Sequence, residues 1–229
     1  MFTSAALHAY LRVIGSTLQV QILLPDGKIG TGTDEATQRL ISPDDSQRPA
    51  VLPLWTSDQI NLLATAFHSG SLRQLASRFR FFVDDSFGGI VMESALKRLR
   101  LSTISISDHD PAARLRSLRS FISSNQAAFV VVDGRGPYFH VGSGLVNLAH
   151  STNATVVPCA ASASAALTLR GRSAAVAIPL PGSRVVVALG EPRVFGMRRR
   201  EIAVNEEAAR LETALVTLGA RALTLASSV

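Results

Sequence analysis

The sequence holds a single cysteine, Cys159, which excludes an internal disulfide and any zinc site built on thiolates. A reducing compartment is compatible with that usage. Lysine is almost as scarce: Lys28 and Lys97 are the only two, so nearly all of the positive charge is carried by arginine. The five histidines, at positions 8, 68, 109, 140 and 150, have no i, i+4 partner and no metal-ligand spacing, so no metal site is expected. No apolar run reaches the roughly 18 residues that a membrane-crossing helix needs. The start of the chain also lacks the basic first residues and A-x-A-like exit of a secretory signal. The expectation is a chain that does not span a membrane.

Several motifs are missing as well. There is no G-x-x-x-x-G-K-[ST] loop, no G-x-G-x-x-G opening a helix, and no G-x-S-x-G elbow. The two glycines of "GSGLVN" (142 to 147) lack the third that a dinucleotide fingerprint requires. Aromatic content is only 6%, and the arginines are scattered over several helical stretches without a known binding motif. No nucleic-acid partner is expected.

What remains is a chain of 229 residues, 47% apolar and 17% charged, with a net charge of +6. That composition supports one large core, and the absence of repeats and linkers favours a single domain over residues 1–229. An excess of arginine suits an anionic partner, because the guanidinium fork binds phosphate at two points.

Along the chain, residues 3 to 19 place Leu7, Tyr10, Leu11, Ile14 and Leu18 on one helical face. Such an amphipathic helix packs on its own domain or lies in a membrane interface. A short strand ending in a Pro-Asp-Gly turn completes the first segment, 1–24. The core, 50–195, alternates strands at 50–55, 75–83, 101–107 and 127–132 with helical stretches at 56–70, 88–100, 110–125 and 142–153. One further strand is expected over 154–161. "AAVAIPL" and "SRVVVALGEP", joined by a Pro-Gly turn, suit an antiparallel extension. A helix over 201–225 closes the chain. This order predicts an α/β fold: a mostly parallel sheet flanked by helices, preceded by an amphipathic helix.

In open α/β sheets, ligand sites gather at the carboxyl ends of the strands. Four junctions bring polar residues there: "WTSD" with Asp58, "DDSFGG" with Asp85, "SDHD" with His109, and "DGRGP" with Asp133, Gly134, Arg135 and Gly136. Asp-Gly and Gly-Pro also form turns, so the last segment has a purely structural reading too.

From "RPAVLPLW" through "VVVDGRGPYFHVGSGLVNLAHSTNATVVP" to "IPLPGSRVVVALGEP" and "NEEAARLETALVTLGARAL", the chain resembles the lysophospholipid acyltransferase superfamily, in its small, single-domain bacterial branch. The resemblance implies an acyltransferase-like α/β sandwich on the inner membrane surface of the cytoplasm. It implies transfer of an acyl chain, without a cofactor, from acyl-CoA or acyl-carrier protein to a lipid acceptor. Anionic membrane lipid would be a second partner. "DGRGP" would bind the acceptor, with Arg135 on a phosphate and the glycines admitting it to the backbone; Asp58 and Asp85, at the neighbouring strand-end junctions, are further candidate substrate-binding residues.

One part of the family pattern is absent. The superfamily carries H-x-x-x-x-D after its first core strand, the histidine acting as general base and the aspartate orienting it. Here Thr56 and Asn61 stand at those positions. No histidine in the chain has an acid five residues on, and Thr is no base near neutral pH. Three accounts fit: a pseudoenzyme that binds lipid or acyl groups as a partner subunit, an enzyme whose base has moved, with His109 between Asp108 and Asp110 as the candidate, or a displaced register.

Overall fold

The structure, a computed structural model, describes residues 4–30, 48–68, 76–77, 79–84, 87–106, 111–122, 127–133, 139–170, 175–195 and 201–228. The chain runs α1 (Ser4–Thr17), β1 (Gln19–Leu23), β2 (Ile29–Gly30), β3 (Ala50–Leu54), a 3-10 turn (Thr56–Asp58) and α2 (Gln59–His68). There follow β4 (Phe79–Asp84), α3 (Phe87–Arg98), β5 (Ser102–Ile106), α4 (Pro111–Ile122), β6 (Ala127–Val131), α5 (Ser143–Thr152), β7 (Thr155–Val156) and β8 (Cys159–Ala163). The last elements are β9 (Ala166–Arg170), β10 (Ala175–Pro179), β11 (Arg184–Leu189), β12 (Arg193–Val194) and α6 (Glu201–Ser227).

The expected α/β class is what the chain adopts. Among the described residues, a six-stranded sheet has the order β12-β7-β3-β6-β4-β5, parallel from β7 to β5 with β12 antiparallel at one edge. A second sheet, β2-β1-β11-β8, faces it, and β9 with β10 forms a separate two-stranded ribbon. Strand alternation explains the layering. Val51 and Ala128 point from the six-stranded sheet to α4, α5 and the first half of α6. Ala50, Leu52, Phe79 and Ala127 point the other way, onto Ile22, Val187 and Leu189 of the second sheet. The outer face of that sheet is covered by Leu218, Ala222 and Ala226, near the end of α6.

Three sequence expectations change. The run 154–161 is not one strand: β7 belongs to the six-stranded sheet and β8 to the other, and Val157-Pro158 carries the chain between them. Proline has no N–H to donate to a ladder, so the break falls where the chain switches sheets. The chain returns at Gly190, whose N–H donates to the Pro158 carbonyl at 2.8 Å. A Cβ on Gly190 would meet the Pro158 ring at 3.2 Å, so the two crossings lie in close contact. Second, β10 and β11 do not pair. The Pro181-Gly182 turn, with Gly182 at φ 77°, sends β10 to β9 and β11 between β1 and β8, because a strand buried on both faces needs a central place. Third, β4 starts at Phe79 rather than 75, where the alternating Phe-Arg-Phe-Phe-Val pattern begins.

Helix α1 packs on its own domain. Leu11, Ile14 and Leu18 are buried against Ile60, Leu63 and Ala64 of α2 and Leu96 of α3, so this part of the stripe is not a membrane-facing surface. Contact is so tight that a Cβ on Gly15 would stand 2.4 Å from Phe67 Cβ.

Candidate functional site

The first core strand, β3, is buried along its whole length and delivers Trp55 into the core and Thr56 to the sheet edge. The 3-10 turn that follows has no cap from its own preceding residue. Asp133, just past β6, supplies one. Its Oδ1 accepts from the Thr56 N–H at 2.7 Å and from Thr56 Oγ1 at 2.8 Å. Its Oδ2 accepts a longer bond, 3.4 Å, from the Phe139 N–H. Asp133 is buried, so these donors replace the water its carboxylate gives up.

Phe139 is the residue that sequence reasoning missed. It holds φ 54°, a left-handed conformation costly for an aromatic residue, and its ring stands edge-on to Trp55 at 5.3 Å while remaining half exposed. No sequence signal marks it beyond its place after "DGRGP".

Asp58 and Asn61 serve a different partner. β8 is the edge of its sheet, and the backbone of Ala161 faces away from β11. Asp58 Oδ2 accepts from the Ala161 N–H at 3.1 Å, and Asn61 Nδ2 donates to the Ala161 carbonyl at 3.0 Å. Two side chains thus do for this buried edge what a neighbouring strand would do. Asp58 Oδ1 also accepts from Ser57 Oγ at 2.8 Å. Burial pushes the Asp58 carboxyl up to about 6, with the Asp133 charge adding to the rise and the bonds from Ser57 and Ala161 opposing it. Asn61 Oδ1 is buried with no hydrogen-bond partner among the described residues.

Thr56 and Asn61, matched to one motif in the sequence, are therefore engaged separately: Thr56 with Asp133, Asn61 with β8. Asp133 joins the junction; Gly134, Arg135, Gly136, Asp85 and His109 lie outside the described residues. Among those described, no three His, Cys, Asp or Glu side chains gather as a metal site.

Beside the junction is an apolar cavity of about 60 Å³ between the two sheets and α2. Ile22, Leu52, Leu62, Ala66, Phe129 and Cys159 are among the residues that line it. At about 10–15 Å³ per water-sized position, it holds roughly four to six such groups. Burial pushes the Cys159 thiol up, and the Asp58 charge adds to that, so cavity wall and polar junction are electrostatic neighbours. No sequence motif could reveal this space, because seven separate elements build its wall.

No protein-family model matches the chain. No curated protein matches it in sequence. Among solved structures, it is similar to the 1-acyl-sn-glycerophosphate (LPA) acyltransferase PlsC of Thermotoga maritima, with a TM-score of 0.47 and 16% identity over 90% of this chain and 79% of that one. Among the described residues, no helix is long and apolar enough to cross a membrane.

Proposed function

We propose that the protein is an acyltransferase-like, acyl-binding protein that takes the end of an acyl chain, delivered by acyl-CoA or acyl-carrier protein, into the cavity between its sheets. The observation that carries this reading is the cavity itself: lined mainly by aliphatic and aromatic side chains, it offers a ligand apolar contact and little else. Its two potentially polar walls are quiet. Thr65 Oγ1 donates to the Leu62 carbonyl, and Cys159 keeps its thiol proton. Apart from Asn61 Oδ1, the junction groups are bonded within the protein, which favours binding over turnover.

Acyl transfer is the second reading, favoured by one observation. A carboxyl held near 6, as Asp58 is, accepts a proton efficiently close to neutral pH, and the Ser57 hydroxyl lies on it.

Displacement of a fluorescent polyene fatty acid by unlabelled fatty acids of increasing length tests the first reading. Binding should saturate at one site, and Ala66→Leu, which fills the cavity from α2, should weaken it about tenfold while the protein stays folded. Affinity unchanged by Ala66→Leu in a folded protein would overturn it. Incubation with labelled acyl-CoA and lysophospholipid tests the second: product that Asp58→Asn abolishes would establish transfer.

A further inference from the structure

With the described part of the α1 stripe turned inward, the apolar surface near that helix comes from other residues. Tyr10 Oη donates to the Pro179 carbonyl at 2.8 Å, and the Gly182 N–H donates to Thr17 Oγ1 at 3.0 Å. Helix α1 therefore lies along the end of β10 and the turn after it. Val13 stands between Tyr10 and Thr17 at i+3 and i+4 spacing, on the same helix face. The Leu180 N–H donates to the Ala165 carbonyl at 3.0 Å and extends the β9–β10 ladder by a pair.

In that ladder Leu167 opposes Ile178 and Leu169 opposes Val176. Alternation then puts Leu167, Leu169 and Leu180 on the ribbon face that carries Ile178 and Val176. Ile178 and Val176 pack into the core formed with α1 and α2. The outer strand overhangs that core. Leu167 is 53% exposed, Leu169 45%, Leu180 42% and Val13 63%. Apolar side chains exposed together in this way mark a contact surface.

Its charge identifies the partner. The sequence has no Asp or Glu before Asp26 and none between Asp133 and Glu191, so neither α1 nor the ribbon contains an acid. Arg12, next to Val13, is exposed. Two copies meeting ledge to ledge would bring an Arg12 from each together, with no acid on α1 or the ribbon to neutralise them. An anionic bilayer supplies the missing charge and an apolar layer besides.

We propose that Val13, Leu167, Leu169 and Leu180 form a ledge that docks the protein on anionic lipid bilayers. The leucines and valine enter the interfacial zone, and arginine meets the head-group phosphates. Because β10 packs against the 3-10 turn, docking brings the Thr56–Asp133 junction close to the membrane surface. The inference does not depend on the acyl-binding reading, since it concerns vesicles without any added ligand.

Co-sedimentation of the full chain with phosphatidylcholine vesicles, with and without phosphatidylglycerol, tests it. Binding should require the anionic lipid, weaken with salt, and fall at least tenfold in Leu167→Ser/Leu169→Ser. The similarly exposed pair on α6, as Val216→Ser/Leu223→Ser, should bind like the wild type. A probe that keeps the surface apolar, Leu169→Trp, should show blue-shifted emission and quenching by brominated lipid on vesicles, since Trp55 is already buried. Unchanged emission from Leu169→Trp, or equal sedimentation of the folded serine variant, would overturn the proposal. So would a dimer in sedimentation velocity that the serine pair dissolves while the wild type ignores vesicles.

Discussion

The polar junction at the end of β3 and the apolar cavity beside it are built by opposite rules. At the junction almost every donor and acceptor is matched within the protein: Thr56 to Asp133, Asp58 to Ser57 and Ala161, and Asn61 to Ala161. Directional bonds fix it, and a misplaced atom there leaves a buried group unpaired. The cavity is held by non-directional packing and stays open because seven elements meet without filling the space. The difference teaches where change is tolerated. One region should fail when a bond is lost, and the other should accept added volume.

The largest expected effect is on the junction. Asp133→Ala removes the acceptor of both Thr56 donors and the cap of the 3-10 turn, and should cost about 3 kcal/mol, the scale for buried bonds to a charged group. Urea unfolding would measure it. A loss below about 1 kcal/mol would show that water can replace the carboxylate and that the junction is looser than its bonds suggest.

Next is the response of Asp58 to pH. Its folded value, about 6, lies above the ordinary 3.8, so the folded protein binds the extra proton between these limits. Stability from this group is complete below pH 4 and is lost as pH rises through about 6, a fall of roughly 2–3 kcal/mol. Asp58→Asn keeps an acceptor for the Ala161 N–H, and its amide donates to Ser57, whose hydroxyl can turn. The gap in unfolding free energy between wild type and Asp58→Asn should therefore swing in favour of the variant from pH 4 to pH 7. A constant gap would mean that water reaches the carboxyl.

The smallest effect belongs to the cavity. Cys159→Val adds volume beside empty space and should change stability by no more than about 1 kcal/mol, in either direction. The same small-to-large logic applied at a tight contact gives a sharper contrast. Gly15→Ala would drive a methyl into Phe67 and should cost about 1–3 kcal/mol. Thermal melts of the two variants should separate by several degrees. Equal melts would show that α1 shifts freely on α2.

Much of this fold is legible in the sequence, and for an identifiable reason. The alternation of β3, β4, β5 and β6 with helices gives the parallel part of the six-stranded sheet, because strand and helix periods depend on local spacing. The stripe Leu11, Ile14 and Leu18 is equally legible as a helix face. Its covering is not, since a stripe reads the same against α2 as against a lipid surface. Thr56, Asp58 and Asp133 could be picked out one by one as polar groups at strand ends, and Asn61 by its spacing from Thr56. Their partners could not: Asp133 reaches Thr56 from 77 residues away, and Asp58 meets a backbone group of β8.

The sequence by itself determined the α/β class, the acid-free stretches around α1 and the ribbon, and the absence of a histidine–aspartate motif at the end of β3. Those are properties of composition and local order, complete before any two distant residues meet. Only the tertiary structure decided that 154–161 divides between two sheets at Pro158, that β10 leaves β11 for β9, and that an apolar space remains beside a closed polar junction. Each of these depends on which surfaces the chain buries against one another, and burial is a property of pairs of elements that no single segment carries.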